Sequence, residues 1–406
     1  MTLASRTRLL CPLMILSAVA GAQDFDIRLE RVRSGFDGET CWVHARAGAI
    51  PSKPPTVVLT MQKLLLSGSD VFFALNEMRT DNLGRSWSGP VEHTETLGRR
   101  READGVIVAA GDFWPKWHAR SGKLLGIGHT VRYHENKVMA DAPRQTVYAA
   151  YDAQKRTWTP WATLSMPDEA RFFNAGAGSV QRVDLPDGEM LVPVYHHAKG
   201  EKFSKVSVLR CRFDGKRLTL SNIGNELTVN EKRGLAEPSI ASHGGVYFLT
   251  VRHDDRGYVS RSKDGLHFEP LREWLFDDGS ELGNYNTQQH WVMHTSGLYL
   301  VYTRKGANND HVFRHRAPLF IARVDPETLR VIRATERVLV PERGARLGNF
   351  GVTDINEKET WVTVTEWMQT WGPNFAMKPG NRYGSDNTLW VARIVWRKPN
   401  SDWNRH

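Results

Sequence analysis

Thr80-Asp81-Asn82-Leu83-Gly84-Arg85-Ser86-Trp87 follows the pattern Ser/Thr-x-Asp/Asn-x-Gly-x-x-Trp. A short polar side chain caps a tight turn, the glycine takes a backbone angle that other residues avoid, and the aromatic packs down onto the strands. Ser262-Lys263-Asp264-Gly265-Leu266-His267-Phe268 is a contracted copy. Segments 152–158, 214–215 and 325–329 are eroded copies. Around these turns lie short runs rich in Val, Ile, Tyr, Phe and Trp, which recur in units of roughly 50–60 residues. The units open with runs at 42–50, 112–119, 178–185, 237–243, 287–294 and 349–355. Such a repeat predicts an all-β chain. The expected architecture is a six-bladed β-propeller with four-stranded antiparallel blades over about residues 25–400. Segment 25–32 is expected to add a strand to the last blade and close the ring. A two-sheet sandwich is the alternative.

Composition bounds the function. The 406 residues are 40% hydrophobic and 24% charged, which suits a globular chain with a sizeable core. Three cysteines exclude a disulfide scaffold and an iron–sulfur protein. Cys41 and Cys211 either pair or are two buried thiols. Lys and Arg (54) exceed Asp and Glu (45), giving a net charge of +9. These cations are scattered, so no nucleic-acid partner is expected, and the charge favours acidic ligands such as anionic glycans. Residues 1–22 read as a secretory signal: Arg6 and Arg8, an apolar run over 9–19, then Ala20-Gly21-Ala22. Residues 23–400 are read as one domain and 401–406 as a tail. The expected location is secreted or periplasmic, with no membrane span.

Several segments resemble the sialidase (neuraminidase) superfamily of propellers with BNR, or Asp-box, repeats. His44-Ala45-Arg46-Ala47-Gly48-Ala49-Ile50-Pro51 is similar to its first-blade Arg-Ile-Pro motif, stretched by three residues. Asp70 stands where the family keeps its acid/base aspartate. Glu237-Pro238-Ser239-Ile240, then Val251-Arg252-His253-Asp254-Asp255-Arg256, resemble its Glu-then-Arg segment. The resemblance implies a hydrolase that removes a terminal acidic sugar. Arg46, Arg256 (or Arg252) and Arg316 (or Arg314) would hold the sugar carboxylate. Asp70 would be the general acid/base, and Glu237 would activate the nucleophile. Guanidinium groups suit that task because they bind carboxylates through charge-assisted, partly bidentate hydrogen bonds. The family's tyrosine nucleophile is missing, because Phe350 falls near its place. Tyr285 and Tyr383 are the substitutes in nearby loops.

A second pattern concerns the polar residues that end the apolar runs: Gln62, His129, His196, His197, Arg252, His253, Arg304 and Glu366. Trp114, Lys116, Asn174, Gln288, His290 and Asn349 can join them in a central funnel. Histidines beside arginines also suit a lyase or glycosidase acting at a uronic acid, with His129, His196 or His197 moving the proton. A glycan-binding propeller without catalysis is the third reading. His311 and His315 have metal-like spacing without a third ligand nearby, so neither a metal nor a cofactor is assigned.

Overall fold

The computed structural model describes residues 24–68, 70–369 and 378–403. The region read as a secretory signal lies outside the described residues. The strands form six antiparallel sheets in chain order. The first joins Thr40–Ile50, Thr56–Leu65, Phe72–Thr80 and Ser88–Glu92 in sequence. The last joins Gly351–Asn356, Glu359–Thr365 and Leu389–Trp396, and the N-terminal Phe25–Arg33 pairs with Leu389–Trp396 as its outer strand. Chain ends thus meet in one sheet, which fastens the ring.

Buried apolar clusters lie between consecutive sheets. Val58 and Leu75 of the first sheet pack with Val108 and Val147 of the second. Leu125 and Tyr148 of the second pack with Val192 and Leu209 of the third. The series ends where Trp361 and Val391 of the last sheet meet Ala47 and Val57 of the first. Because each sheet is covered on both faces, its middle strands carry consecutive buried residues. Val57, Val58 and Leu59 are all fully buried. Fully burying one such side chain contributes about 1.5–3 kcal/mol, so each layer between sheets adds to stability. The architecture is a β-propeller with four-stranded antiparallel blades, some of them carrying extra short strands.

The turn motifs do what their chemistry predicts. Thr80 Oγ1 accepts from the Gly84 N–H at 2.9 Å, and Asn82 Oδ1 accepts from the Ser86 N–H at 3.0 Å. Gly84 has φ +81°, and Trp87 packs against Trp361 with ring centroids 6.1 Å apart. In the contracted copy, Asp264 Oδ1 caps the Leu266 and His267 N–H groups. The eroded copies keep the same device at Asp152, Asp214 and Asp325, each accepting from backbone N–H groups just ahead. All five turns leave the end of a long strand: Phe72–Thr80, Thr146–Asp152, Lys205–Phe213, Tyr258–Ser262 and Leu319–Asp325.

The two cysteines are free and buried. Burial pushes both thiols up to about 12, so they behave as core residues. No helix among the described residues is long and apolar enough to cross a membrane.

Candidate active site

The innermost strands share an irregularity that builds the site. Each of the first five carries one non-glycine residue at positive φ in or just before it: His44 (56°), Asp112 (52°), Ser179 (59°), Glu237 (43°) and Asn286 (49°). Register shifts mark the bulges at His44, Asp112 and Glu237. A bulge re-aims a side chain, and a non-glycine residue in this region costs on the order of 1–3 kcal/mol. Repeating it sheet after sheet brings polar groups from distant sequence positions to the axis.

Asp112 is the hub of this ring. Its Oδ1 accepts from Arg46 at 3.2 Å and pairs with His44 Nε2 at 3.2 Å, and the Ser179 hydroxyl donates to it. Its Oδ2 lies 3.4 Å from His129 Nε2. Burial acts to raise the Asp112 pKa, but His44, Arg46 and His129 outweigh it and hold the carboxyl well below its usual range. Arg46 is fully buried and also donates to Ser179 Oγ at 2.6 Å and to the Phe350 carbonyl at 3.3 Å. Its guanidinium is therefore spent on protein partners.

His129 connects this hub to a tyrosine that the sequence reading did not select. The Tyr195 hydroxyl lies 3.0 Å from His129 Nδ1. Burial lowers the His129 pKa to about 3, so the imidazole is neutral at ordinary pH. The consistent tautomer has Nδ1 accepting from Tyr195 and Nε2–H facing Asp112. Burial pushes the Tyr195 phenol up, Arg144 opposes that, and the charges of Glu237, Asp112 and Arg252 also reach it. Arg144 lies over the Tyr195 ring at 4.9 Å. Hydroxyl, base and orienting carboxylate thus stand in one line.

Gly178 makes room for this line. A Cβ there would lie 2.2 Å from His129 Nδ1 and 2.8 Å from Asp112 Cβ. Gly178→Ala should displace the imidazole and cost about 1–3 kcal/mol, read as a lowered thermal midpoint together with lost activity. An unchanged midpoint would show that the ring tolerates the shift.

Arginines gather beside this line. Arg252 NH1 donates to Glu237 Oε1 at 2.5 Å and NH2 to Asn286 Oδ1 at 2.7 Å. Arg316 donates to the Asn286 carbonyl and, at 3.4 Å, to Asn349 Oδ1. Arg346 donates weakly to Gln369 at 3.4 Å and lies 4.4 Å from the Trp367 ring centroid. The Nε groups of Arg252, Arg316 and Arg346 are buried without a hydrogen-bond partner. Burial lowers the Arg316 pKa well below normal, with Arg252, Arg346 and Arg314 adding to the effect. Arg346 is lowered to about 9, chiefly by burial. Asp70 is exposed at φ 51° on the loop entering Phe72–Thr80, and its charge acts on Arg346, Arg314 and His44. The set is a cationic recess with more buried arginines than carboxylates to pair them, which suits an anion.

The structure brings together Arg46, Glu237, Arg252, Arg316, His129, Gln288, Asn349 and, by its charge, Asp70. It sends Arg256, Arg304, Glu366 and His196 elsewhere and holds His290 in the layer below. Arg256 lies at the rim, paired with Glu273 at 2.6 Å, so Arg252 takes the place beside Glu237. Arg304 forms a two-point ion pair with Glu336 and stacks near Phe320. Glu366 is buried and accepts from the backbone N–H groups of Asp386 and Thr388, from Trp390 and from Arg343, which fastens the chain re-entering the last sheet. His196 faces away from the Tyr195 hydroxyl, against Phe172 and Ser207. His290 is held by Ser239 at 2.8 Å between Trp114 and Phe350. Phe350 is fully buried in that layer. Tyr285 bonds His315 at 2.6 Å, which in turn faces the exposed Asp310. Tyr383 stacks on His311, which pairs with Glu342. No group of three metal-ligating side chains occurs among the described residues.

Burial lowers the pKa of His44, His129, His196 and His290. Below about pH 6.5 the unfolded chain takes up protons at these positions that the folded chain refuses, so stability is lost as pH falls. For His129 this amounts to about 2 kcal/mol by pH 5. The thermal midpoint should be level above neutrality and fall steadily from pH 6.5 to 4.5. A midpoint level down to pH 4.5 would contradict the buried neutral histidines.

Comparison with protein-family models and with curated proteins gives no match. Solved structures do match. A Dyadobacter fermentans protein, described as of unknown function, aligns at TM-score 0.59 and 13% identity, over 91% of this chain and 99% of its own. Trypanosoma rangeli sialidase, in complex with the inhibitor DANA, aligns at TM-score 0.55 and 12% identity over 86% of this chain. The present chain spans 55% of that protein. The phage phi92 endosialidase aligns at TM-score 0.58 and 10% identity, over 92% of this chain and 70% of its own. At such identities the likeness speaks to the fold, and the chain has a sialidase-like β-propeller fold.

Proposed function

We propose that the protein is an exported, glycan-active enzyme whose six sheets form the blades of one propeller and whose axis holds an anionic sugar. The observation that carries this reading is the Tyr195–His129–Asp112 line beside arginines with unpaired buried Nε groups. Arg252 and Arg316 bind the sugar carboxylate, with Arg346 and Arg314 supplying further positive charge. Arg46 holds Asp112 and does not bind substrate. Tyr195 takes the role that Phe350 cannot fill. Its hydroxyl attacks the anomeric carbon while His129 accepts the phenolic proton, and Asp112 stabilises the imidazolium. Asp70 protonates the departing glycosidic oxygen and then activates the water that releases the sugar. Glu237 fixes Arg252. A neutral phenol suits this chemistry, because an anionic nucleophile would be repelled by the substrate carboxylate.

The neutral His129 also favours a second reading. The same pair can remove the proton α to a uronate carboxylate while the arginines neutralise that carboxylate, giving elimination. Incubation with sialylated glycans and uronate polysaccharides separates the two. Hydrolysis releases a free acidic sugar, whereas elimination gives an unsaturated uronate that absorbs in the near ultraviolet. Saturable binding without any product would support the non-catalytic reading and end this proposal.

The arginine assignment has its own test. Arg316→Met should raise KM at least about tenfold, which is 1.4 kcal/mol of lost binding. It should leave the thermal midpoint unchanged or higher, because it removes a buried charge repelled by its neighbours. A lower midpoint with unchanged KM would make Arg316 a structural residue.

A further inference from the structure

The propeller axis holds a cavity beyond the Arg46 layer. It is a cavity of about 260 Å³ lined by the far ends of the innermost strands, including Gly48, Trp117, Met293 and Asp354, and by Trp403 near the C-terminus. Trp114 stands between this rear cavity and the Asp112 hub: its ring lies 5.6 Å from the Arg46 guanidinium and also lines the cavity.

The chemistry of the walls narrows the ligand. Lys116 and Arg182 are matched by Asp184, which lies 3.0 Å from Lys116 Nζ and 3.1 Å from Arg182 Nε. Asp354 adds a second carboxylate, so the wall as a whole carries no net charge. One Asp354 oxygen accepts from Thr360 Oγ1 at 2.7 Å, and no protein donor meets the other among the described residues. Burial pushes the Asp354 pKa up, opposed by the Thr360 hydrogen bond and the charge of Lys116. The indoles of Trp117 and Trp403 are only part-buried, so they offer flat apolar faces to the cavity. A small, mostly apolar cavity with few polar groups has the usual character of a ligand site.

We propose that this rear cavity binds one neutral pyranose unit, stacked on an indole face and hydrogen-bonded through hydroxyls to Asp354. An acidic sugar is disfavoured by the Asp354 carboxylate, and a cation by Lys116. The site stands on different residues from the Tyr195 and arginine cluster and does not depend on the reaction assigned there.

The test titrates D-glucose, D-galactose, D-xylose and L-rhamnose into the full chain, followed by saturation-transfer NMR and calorimetry. Saturable binding of at least one sugar is expected, unchanged in Tyr195→Phe. It should weaken at least about tenfold in both Trp117→Ala and Asp354→Asn, each checked for an unchanged thermal midpoint. Should Trp117→Ala fail to fold, Trp117→Phe and Asp354→Asn carry the test. The proposal fails if none of the four sugars binds. It fails equally if binding survives both rear variants or disappears in Tyr195→Phe, which would place the sugar beside Tyr195.

Discussion

Tyr195→Phe is expected to lower turnover by about 10³–10⁴-fold while leaving the fold intact. The substitution removes one oxygen from a ring that keeps its packing under Arg144. The folded state loses a single hydrogen bond to His129, worth on the order of 1 kcal/mol. The thermal midpoint should therefore move little, and substrate should still bind, because the arginines are untouched. That split separates a reacting group from a structural one: a merely structural hydroxyl would move stability and turnover together. His129→Gln should reproduce much of the loss by removing the base while keeping a polar partner for the phenol. Turnover within tenfold of the parent in Tyr195→Phe would remove Tyr195 from the chemistry.

The largest effect on stability is expected at Asp112. Arg46 is fully buried, and Asp112 is its carboxylate partner at 3.2 Å. Asp112→Ala leaves that guanidinium without a counter-charge and also strands His44, His129 and Ser179. Breaking a buried pair from one side costs about 3–5 kcal/mol. Removing both charges is a different matter, because an apolar replacement of similar volume is often neutral. Arg46→Met combined with Asp112→Leu should thus recover a large part of what Asp112→Ala loses, measured by urea denaturation. A cost below about 1 kcal/mol for Asp112→Ala would mean that water or another group reaches Arg46.

The repeat was legible because it rests on local chemistry. A capping Asp or Asn, a glycine and a following aromatic mark a tight turn wherever they occur, and Asp152, Asp214 and Asp325 supply the capping oxygen without the rest of the motif. The site was only partly legible. In Val194-Tyr195-His196-His197 alternate residues face opposite ways, and sequence alone does not say which face meets the axis. The sequence pattern points to the histidines. The register places Tyr195 opposite Gly176 and His196 opposite Ala175, and it is Tyr195 that reaches His129. The small residues at 176 and 178 were the available clue, since they clear space for a large neighbour. Arg256 was preferred to Arg252 by motif spacing, but Arg252 ends the strand Val246–Arg252, whereas Arg256 lies beyond it at the rim. Arg346 belongs to no motif, because only the folded chain brings its charge to Arg316.

The most direct test of the account is product analysis with parent protein and Tyr195→Phe side by side. Sialylated glycans and uronate-containing polysaccharides are the substrates, read by mass spectrometry and ultraviolet absorbance. The account predicts an acidic product from the parent protein and almost none from Tyr195→Phe at equal folded concentration. Product from both proteins at similar rates, or from neither under any of these substrates, would contradict it.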